Sequence, residues 1–164
     1  MEIWEILDRN RQKTGKTIER GTPMNSEEYH LVVDIWIKNV NGDYLITKRT
    51  PNKTYPNMWT ICGGSAVLGD DSFEAALREV KEEIGVSLSR SNGKLVKSFR
   101  RDTSEIRCFK DIWLFNENVN IQDVVHQEDE VSDSMWASEI KIREMIDTGE
   151  FIGVLSYLDD IFKY

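Results

Sequence analysis

The stretch Gly63 to Val86, GGSAVLGDDSFEAALREVKEEIGV, decides how the rest of the chain is read. Its second half predicts a helix. Apolar residues fall at Phe73, Ala76, Leu77, Val80 and Ile84, the i, i+3, i+4, i+7 spacing of one buried face. Asp71 stands where an N-cap belongs, and Glu74 three residues on completes a capping box. Gly85 follows the last apolar position and suits the left-handed backbone that stops a helix.

A different face carries chemistry. Glu79, Glu82 and Glu83 are spaced i, i+3, i+4, so their carboxylates project from one side of the helix. At roughly 100° per residue that side lies about 120° from the centre of the apolar stripe. Like charges this close repel by a few tenths of a kcal/mol per pair. A hard divalent cation removes the penalty, because it prefers oxygen ligands and is shared readily between carboxylates and phosphates. From the helix alone, a solvated acidic face with Arg78 and Lys81 mixed in fits as well. The glycines Gly63, Gly64 and Gly69 tip the reading, since glycine lets the backbone approach a ligand closely.

Strand, glycine-bearing loop and carboxylate-lined helix together resemble the Nudix box, G-x5-E-x7-R-E-U-x-E-E-x-G-U, with U a bulky aliphatic. Gly64, Arg78, Glu79, Val80, Glu82, Glu83, Gly85 and Val86 occupy its fixed positions. One position departs: Asp70 stands where the family has Glu, keeping the charge and losing a methylene. The resemblance implies the Nudix fold, an α/β/α sandwich of α+β type with a mixed central sheet and the box as loop–helix–loop.

The chain as a whole sets bounds. At 164 residues it is expected to form one domain, 1–164, with an N-terminal hairpin arm at 1–28 and the box at 63–86. A hydrophobic fraction of 40% with five Trp, five Tyr and six Phe suits a packed globule. A net charge of −8 argues against a nucleic-acid surface, which needs clustered Lys and Arg. It is compatible with a small phosphorylated substrate. Two cysteines, Cys62 and Cys108, imply no disulfide framework and fit a reducing compartment. The start MEIWEILDRN is acidic and lacks a basic-then-apolar leader, and no apolar run approaches the roughly 20 residues of a membrane span. A cytoplasmic enzyme without a membrane partner is expected.

In chain order, residues 2–22 predict a hairpin whose Trp4 covers the core, or which forms a substrate-side wall or dimer contact. Residues 29–49 predict a second hairpin around Asn41-Gly42-Asp43. His30 precedes it and reads as structural. Lys48, Arg49 and Lys53 follow and are candidates to grip a diphosphate, Arg by a bidentate fork and Lys as a point charge. Trp59 either lines the pocket or packs beneath it. Strands are expected at WTICGG, at Lys94–Arg101, at Ile106–Phe115 with Cys108 a core thiol, and at MWAS. The acidic connection 116–134 holds His126, Glu128 and Glu130, and a carboxylate from it either reaches the metal site or is simply solvated. Ser138 caps a helix ended by Gly149, and residues 153–163 predict a final helix through Leu155, Leu158, Ile161 and Phe162.

Nudix proteins typically hydrolyse a diphosphate linked to another moiety. The resemblance makes Glu79, Glu82 and Glu83 ligands of Mg²⁺ or Mn²⁺, with Glu79 as base or shared ligand, Gly64 offering its carbonyl, Arg78 orienting a carboxylate and Asp70 in support. It also leaves room for a homodimer. A narrower resemblance is to isopentenyl-diphosphate isomerase, whose Arg-x3-Lys pair before Pro-x-x-Trp reappears as Arg49, Lys53 and Pro56–Trp59, and whose catalytic Cys precedes Gly-His where Cys62 precedes Gly63-Gly64. With Gly64 replacing that His, and only His30 and His126 in the chain, the isomerase's His-rich metal site has no ligands. Metal-dependent hydrolysis of a diphosphate linkage in a nucleoside diphosphate-type or related organic diphosphate is therefore the first expectation. Isomerase-like chemistry at Cys62 and a non-enzymatic sensor on the same fold are the alternatives.

Overall fold

Alternation of apolar and polar residues produces the first element, an antiparallel hairpin of β1 (Ile3–Leu7) and β2 (Lys13–Glu19). The structure is a computed structural model and describes residues 1–103, 105–152 and 156–164. The hairpin turn is shorter than expected, because Asp8 Oδ1 accepts from both Asn10 N and Gln12 N at 2.8 Å and lets β2 start at Lys13. The arm is fastened to the body at three points. Leu7 and Tyr29 exchange backbone hydrogen bonds, Trp4 stacks on His30 with centroids 4.2 Å apart, and Arg11 pairs with the fully buried Asp111.

Among the described residues, seven further strands form one mixed sheet. They are β3 (His30–Lys38), β4 (Tyr44–Arg49), β5 (Trp59–Thr60), β6 (Cys62–Ser65), β7 (Gly93–Asp102), β8 (Arg107–Asn116) and β9 (Val131–Ala137). β3 runs parallel to β8 from His30 to Lys38, and β8 pairs antiparallel with β7. The β3–β4 turn forms where Asn41-Gly42-Asp43 places it: Asn39 Oδ1 accepts from Asn41 N and Asp43 N, and Gly42 takes φ 87°. The hairpin beyond it does not. β3 and β4 pair only at Lys38–Tyr44 and then part. β3 continues against β6, while β4 pairs with β5 and along its length with β9. Local alternation cannot distinguish a closed hairpin from such a fork, because the partner is chosen by distant strands. β9 is also longer than MWAS, since pairing with β4 recruits Val131 to Ser134 from the acidic connection.

Helices cover both faces. α1 (Ser72–Ile84) lays Ala75, Ala76, Val80 and Ile84 on Val33, Ile35, Ile37 and Phe115. α2 (Glu139–Asp147) and α3 (Leu158–Phe162) place Ile142, Met145, Leu158 and Ile161 on Trp36, Ile46, Ile112 and Leu114. Each fully buried aliphatic side chain contributes roughly 1.5–3 kcal/mol of transfer free energy, so both faces are sealed. This is the expected α/β/α sandwich. The final helix begins at Leu158, and Gly153 to Leu155 of the expected helix lie outside the described residues. No helix of the described chain is long and apolar enough to cross a membrane.

Candidate active site

Helix α1 is aimed by its ends. Asp71 Oδ1 accepts from Glu74 N at 2.8 Å, and Gly85 closes the helix at φ 72° with its N–H on Lys81 O. Only half of the capping box forms: the Glu74 carboxylate reaches Arg90 Nη2 at 2.7 Å instead. The apolar face packs on the sheet, and this turns Glu79, Glu82 and Glu83 toward the glycines of β6. All three, with Gly63 and Gly64, line a groove of about 210 Å³. A Cβ built on Gly64 would lie 2.4 Å from the Glu79 carboxylate. The Glu79 carboxylate fills the space that a side chain at position 64 would take, so a larger residue there would have to displace it.

Arg78 organises the carboxylates. Its Nε donates to Asp70 at 2.9 Å, Nη1 to Glu79 at 3.0 Å and Glu82 at 2.9 Å, and Nη2 to the Ser65 carbonyl at 3.0 Å. Asp70, one methylene short of Glu, still reaches. Burial raises Glu79 to about 7 despite Arg78, and burial followed by the charge of Glu79 raises Glu83 to about 8. Among the described residues Glu83 has no cationic partner. Nor do three or more acidic, His or Cys side chains converge in ready metal-ligand geometry. The carboxylates thus share a wall without being drawn to one point, because Arg78 holds two of them. Two half-buried carboxylates short of positive charge, packed directly against the glycine backbone at Gly64, fit a hard divalent cation.

A second cavity, of about 310 Å³, adjoins the groove and shares Arg49, Thr54, Gly63, Gly64, Glu83 and Glu130 with it. It is lined from both arms of the β3–β4 fork, with Asp34 on one side and Thr47 on the other.

A family profile described as the NUDIX domain matches residues 28–152. The chain belongs to the Nudix family. An uncharacterised Nudix hydrolase of Listeria innocua is 36% identical over 165 aligned residues, 99% of this chain and 95% of that protein. The crystal structure of DR0079 from Deinococcus radiodurans carries the same fold, with a TM-score of 0.76 at 21% identity over 99% of this chain and 98% of that one. An isopentenyl-diphosphate Δ-isomerase of Escherichia coli O127:H6 is 35% identical over 63 residues, 37% of this chain and 34% of that protein. The isomerase likeness is therefore local. The chain is a Nudix-type hydrolase, and its family supports diphosphate hydrolysis with a divalent metal and a small-molecule substrate.

Of the cations expected around the Nudix box, Arg49 lines both cavities, its Nε on the Thr54 carbonyl at 2.7 Å. Lys53 lines the groove and is ion-paired with Glu130. Lys48 lines neither. Thr47 and Arg49 take the cavity side, and Lys48 between them sits over the Trp59 ring at 5.7 Å. Trp59 packs against the core. From the acidic connection, Glu130 enters the site, while Glu128 is exposed and His126 bonds Ser134. His30 is a packing residue on Trp4 with Nδ1 at 3.1 Å from the Arg107 carbonyl.

Sequence reasoning missed Glu2 and Arg20, which the hairpin arm brings to the groove. It also missed Asp34 and Lys110. A signal existed for Asp34, a charge in the middle of the apolar run HLVVDIWIK.

Proposed function

We propose that this Nudix protein is an Mg²⁺- or Mn²⁺-dependent hydrolase of an organic diphosphate, acting as one domain over 1–164 in the cytoplasm. The observation that carries this reading is the junction of the two cavities. Carboxylates line one, the other is large enough for an organic group, and Arg49 lines both. Glu79, Glu82, Glu83 and the Gly64 carbonyl would hold the metal. When bound, the ion would offset diphosphate charge and lower the pKa of a water it binds. Arg49 grips phosphate oxygens by its fork, and Lys53 adds a point charge after exchanging Glu130 for phosphate. Glu79 accepts the proton of the attacking water or shares the metal. Its elevated proton affinity suits a base working near neutral pH. Arg78 holds the carboxylates in place.

Cys62 speaks for the hydrolase over the isomerase reading. It is 2% exposed and lines neither cavity, and burial followed by the adjacent Glu83 pushes its thiol well above the ordinary range. The test is phosphate and monophosphate release from a panel of diphosphates with Mg²⁺, wild type against Glu83→Gln, with an isomer readout on isopentenyl diphosphate. Release that disappears in Glu83→Gln is expected. Isomer formation without hydrolysis would overturn the assignment, and ligand binding with no turnover would favour a sensor.

A further inference from the structure

The hairpin arm lies outside the stretch that the Nudix profile matches, which begins at residue 28, yet it delivers a cation to the carboxylate groove. That cation is Arg20, and backbone hydrogen bonds fix its place. Arg20 N donates to the Glu2 carbonyl at 3.0 Å, one step beyond the Ile3–Glu19 pair at the open end of the β1–β2 ladder. A turn follows at once, with Gly21 at φ 89° and Thr22 N on the Glu19 carbonyl at 3.0 Å. Leu68 N, in the loop between β6 and α1, donates to the Ile3 carbonyl at 2.8 Å. The open end of the arm is thus bonded directly to the Nudix-box loop, and Arg20 is carried with it.

Among the described residues three cations line the groove, and they are not equally committed. Lys53 is ion-paired with Glu130, and Arg49 spends Nε on the Thr54 carbonyl. Arg20 has one side-chain partner, Glu2 Oε1 at 2.7 Å from Nη1, and its Nε and Nη2 have no acceptor among the described residues. The pair is open to solvent, 57% for Arg20 and 41% for Glu2, and such a pair is weak enough to be exchanged for a better acceptor. A phosphate is that acceptor, because the guanidinium fork meets two of its oxygens at once. Position along the groove tells which phosphate. The larger cavity shares Arg49, Gly63, Gly64 and Glu83 with the groove, whereas Arg20, Glu79 and Glu82 line the groove alone. With the organic group in the larger cavity, the nearer phosphate lies by Arg49 and the farther one toward Arg20.

We propose that Arg20 is a substrate-binding residue supplied by the arm: its guanidinium grips the phosphate farther from the organic group, and Glu2 holds it in place until that phosphate arrives. This rests on the diphosphohydrolase reading, which puts a diphosphate in the groove.

The test separates binding from turnover. Calorimetry with Mg²⁺ measures methylenediphosphonate, an uncleavable form of inorganic diphosphate, and phosphate release is followed on the panel of organic diphosphates. Arg20→Met is compared with Lys16→Met, which removes the same charge from the same arm at an exposed residue that does not line the groove. Arg20→Met is expected to weaken methylenediphosphonate about tenfold or more and to raise KM by a similar factor, with kcat changed far less, because a phosphate held alike in ground and transition state affects binding alone. Arg20→Lys, a point charge without the fork, is expected to recover part of the loss. Lys16→Met is expected to bind as wild type does. Unchanged Kd and KM in a folded Arg20→Met protein overturn the proposal, and so does an equal loss in Lys16→Met. Glu2→Gln leaves Arg20 in place and weakens its holder, so it is expected to tighten methylenediphosphonate about threefold. Unchanged or weaker binding there overturns the proposal whether or not Arg20→Met folds. A wild type that neither binds methylenediphosphonate nor hydrolyses any diphosphate sinks the hydrolase reading and the proposal with it. Binding that depends on Arg20 without turnover supports the assignment of Arg20 and sinks the hydrolase reading instead.

Discussion

Gly63 and Gly64 are adjacent, yet the structure needs them for different reasons. A Cβ on Gly64 meets the end of the flexible Glu79 side chain at 2.4 Å. A Cβ on Gly63 meets the Val33 carbonyl at 2.5 Å, which is backbone inside the β3–β6 ladder. Gly64→Ala should therefore fold nearly as stably as wild type while displacing Glu79. A misplacement of about 1 Å at reacting groups costs on the order of 100-fold, so kcat should fall by that order with little change in Tm. Gly63→Ala should do the reverse in thermal melts, losing about 2 kcal/mol from strand displacement. Equal effects of the two substitutions on Tm would contradict the assignment of Glu79 to the site. Cys62→Ala belongs at this scale too. Hydrolysis should stay within roughly a few-fold, because the thiol faces neither cavity. A loss of about 100-fold would promote Cys62 to the chemistry.

At the scale of elements, the hairpin arm is a wall of the groove rather than a loose extension. Glu2 and Arg20, joined at 2.7 Å, flank the open end of its two strands and line the groove with the Nudix carboxylates. What fixes the arm is Arg11, which bonds Ser98 at 2.6 Å and Asp111, whose side chain is 1% exposed. Removing one partner of a buried pair costs about 3–5 kcal/mol. The Arg11 side chain is 34% exposed, so Arg11→Met should cost less, about 2–3 kcal/mol. Denaturant melts measure the loss, and limited proteolysis should show cleavage in the arm before the body. A variant as stable and as protease-resistant as wild type would mean that the Trp4–His30 stack and the Leu7–Tyr29 hydrogen bonds secure it without Arg11. Helix α1 was legible in detail, because its cap, apolar stripe and stop all lie within its own residues. The second member of its capping box was misread, because Arg90 lies outside the segment and wins Glu74.

Over the whole molecule, the site stores unfavourable charge. Glu79 and Glu83 titrate near 7 and 8 in the fold, against about 4.3 in an unfolded chain. The folded state binds these protons more tightly, so their stabilisation is full below pH about 4.3 and is lost as pH rises through 7 and 8. The metal-free protein should lose on the order of 2–4 kcal/mol between pH 6 and 9, read as a falling Tm. Mg²⁺ should raise Tm more at pH 8.5 than at pH 6, and Glu83→Gln should flatten both trends. A Mg²⁺ effect independent of pH would sink the assignment of these carboxylates as ligands.

The sequence by itself determined the family, helix α1 and the carboxylates it presents, because these depend on spacings within one segment, and the layered architecture followed from the resemblance those spacings carry. The arginine that holds those carboxylates was legible for the same reason. The larger cavity was decided only by the tertiary structure. It opens where β3 and β4 part, because β6 takes the edge of β3 and β5 the edge of β4 that a closed hairpin would have joined. The β4–β5 pairing set Lys48 onto Trp59, and the β4–β9 pairing brought Glu130 to Lys53. The β3–β8 pairing brought Lys110 to Asp34 across 76 residues of chain. Hydrogen-bond partners at such separations are chosen by the packed fold, because no local pattern encodes which distant strand arrives beside a given side chain.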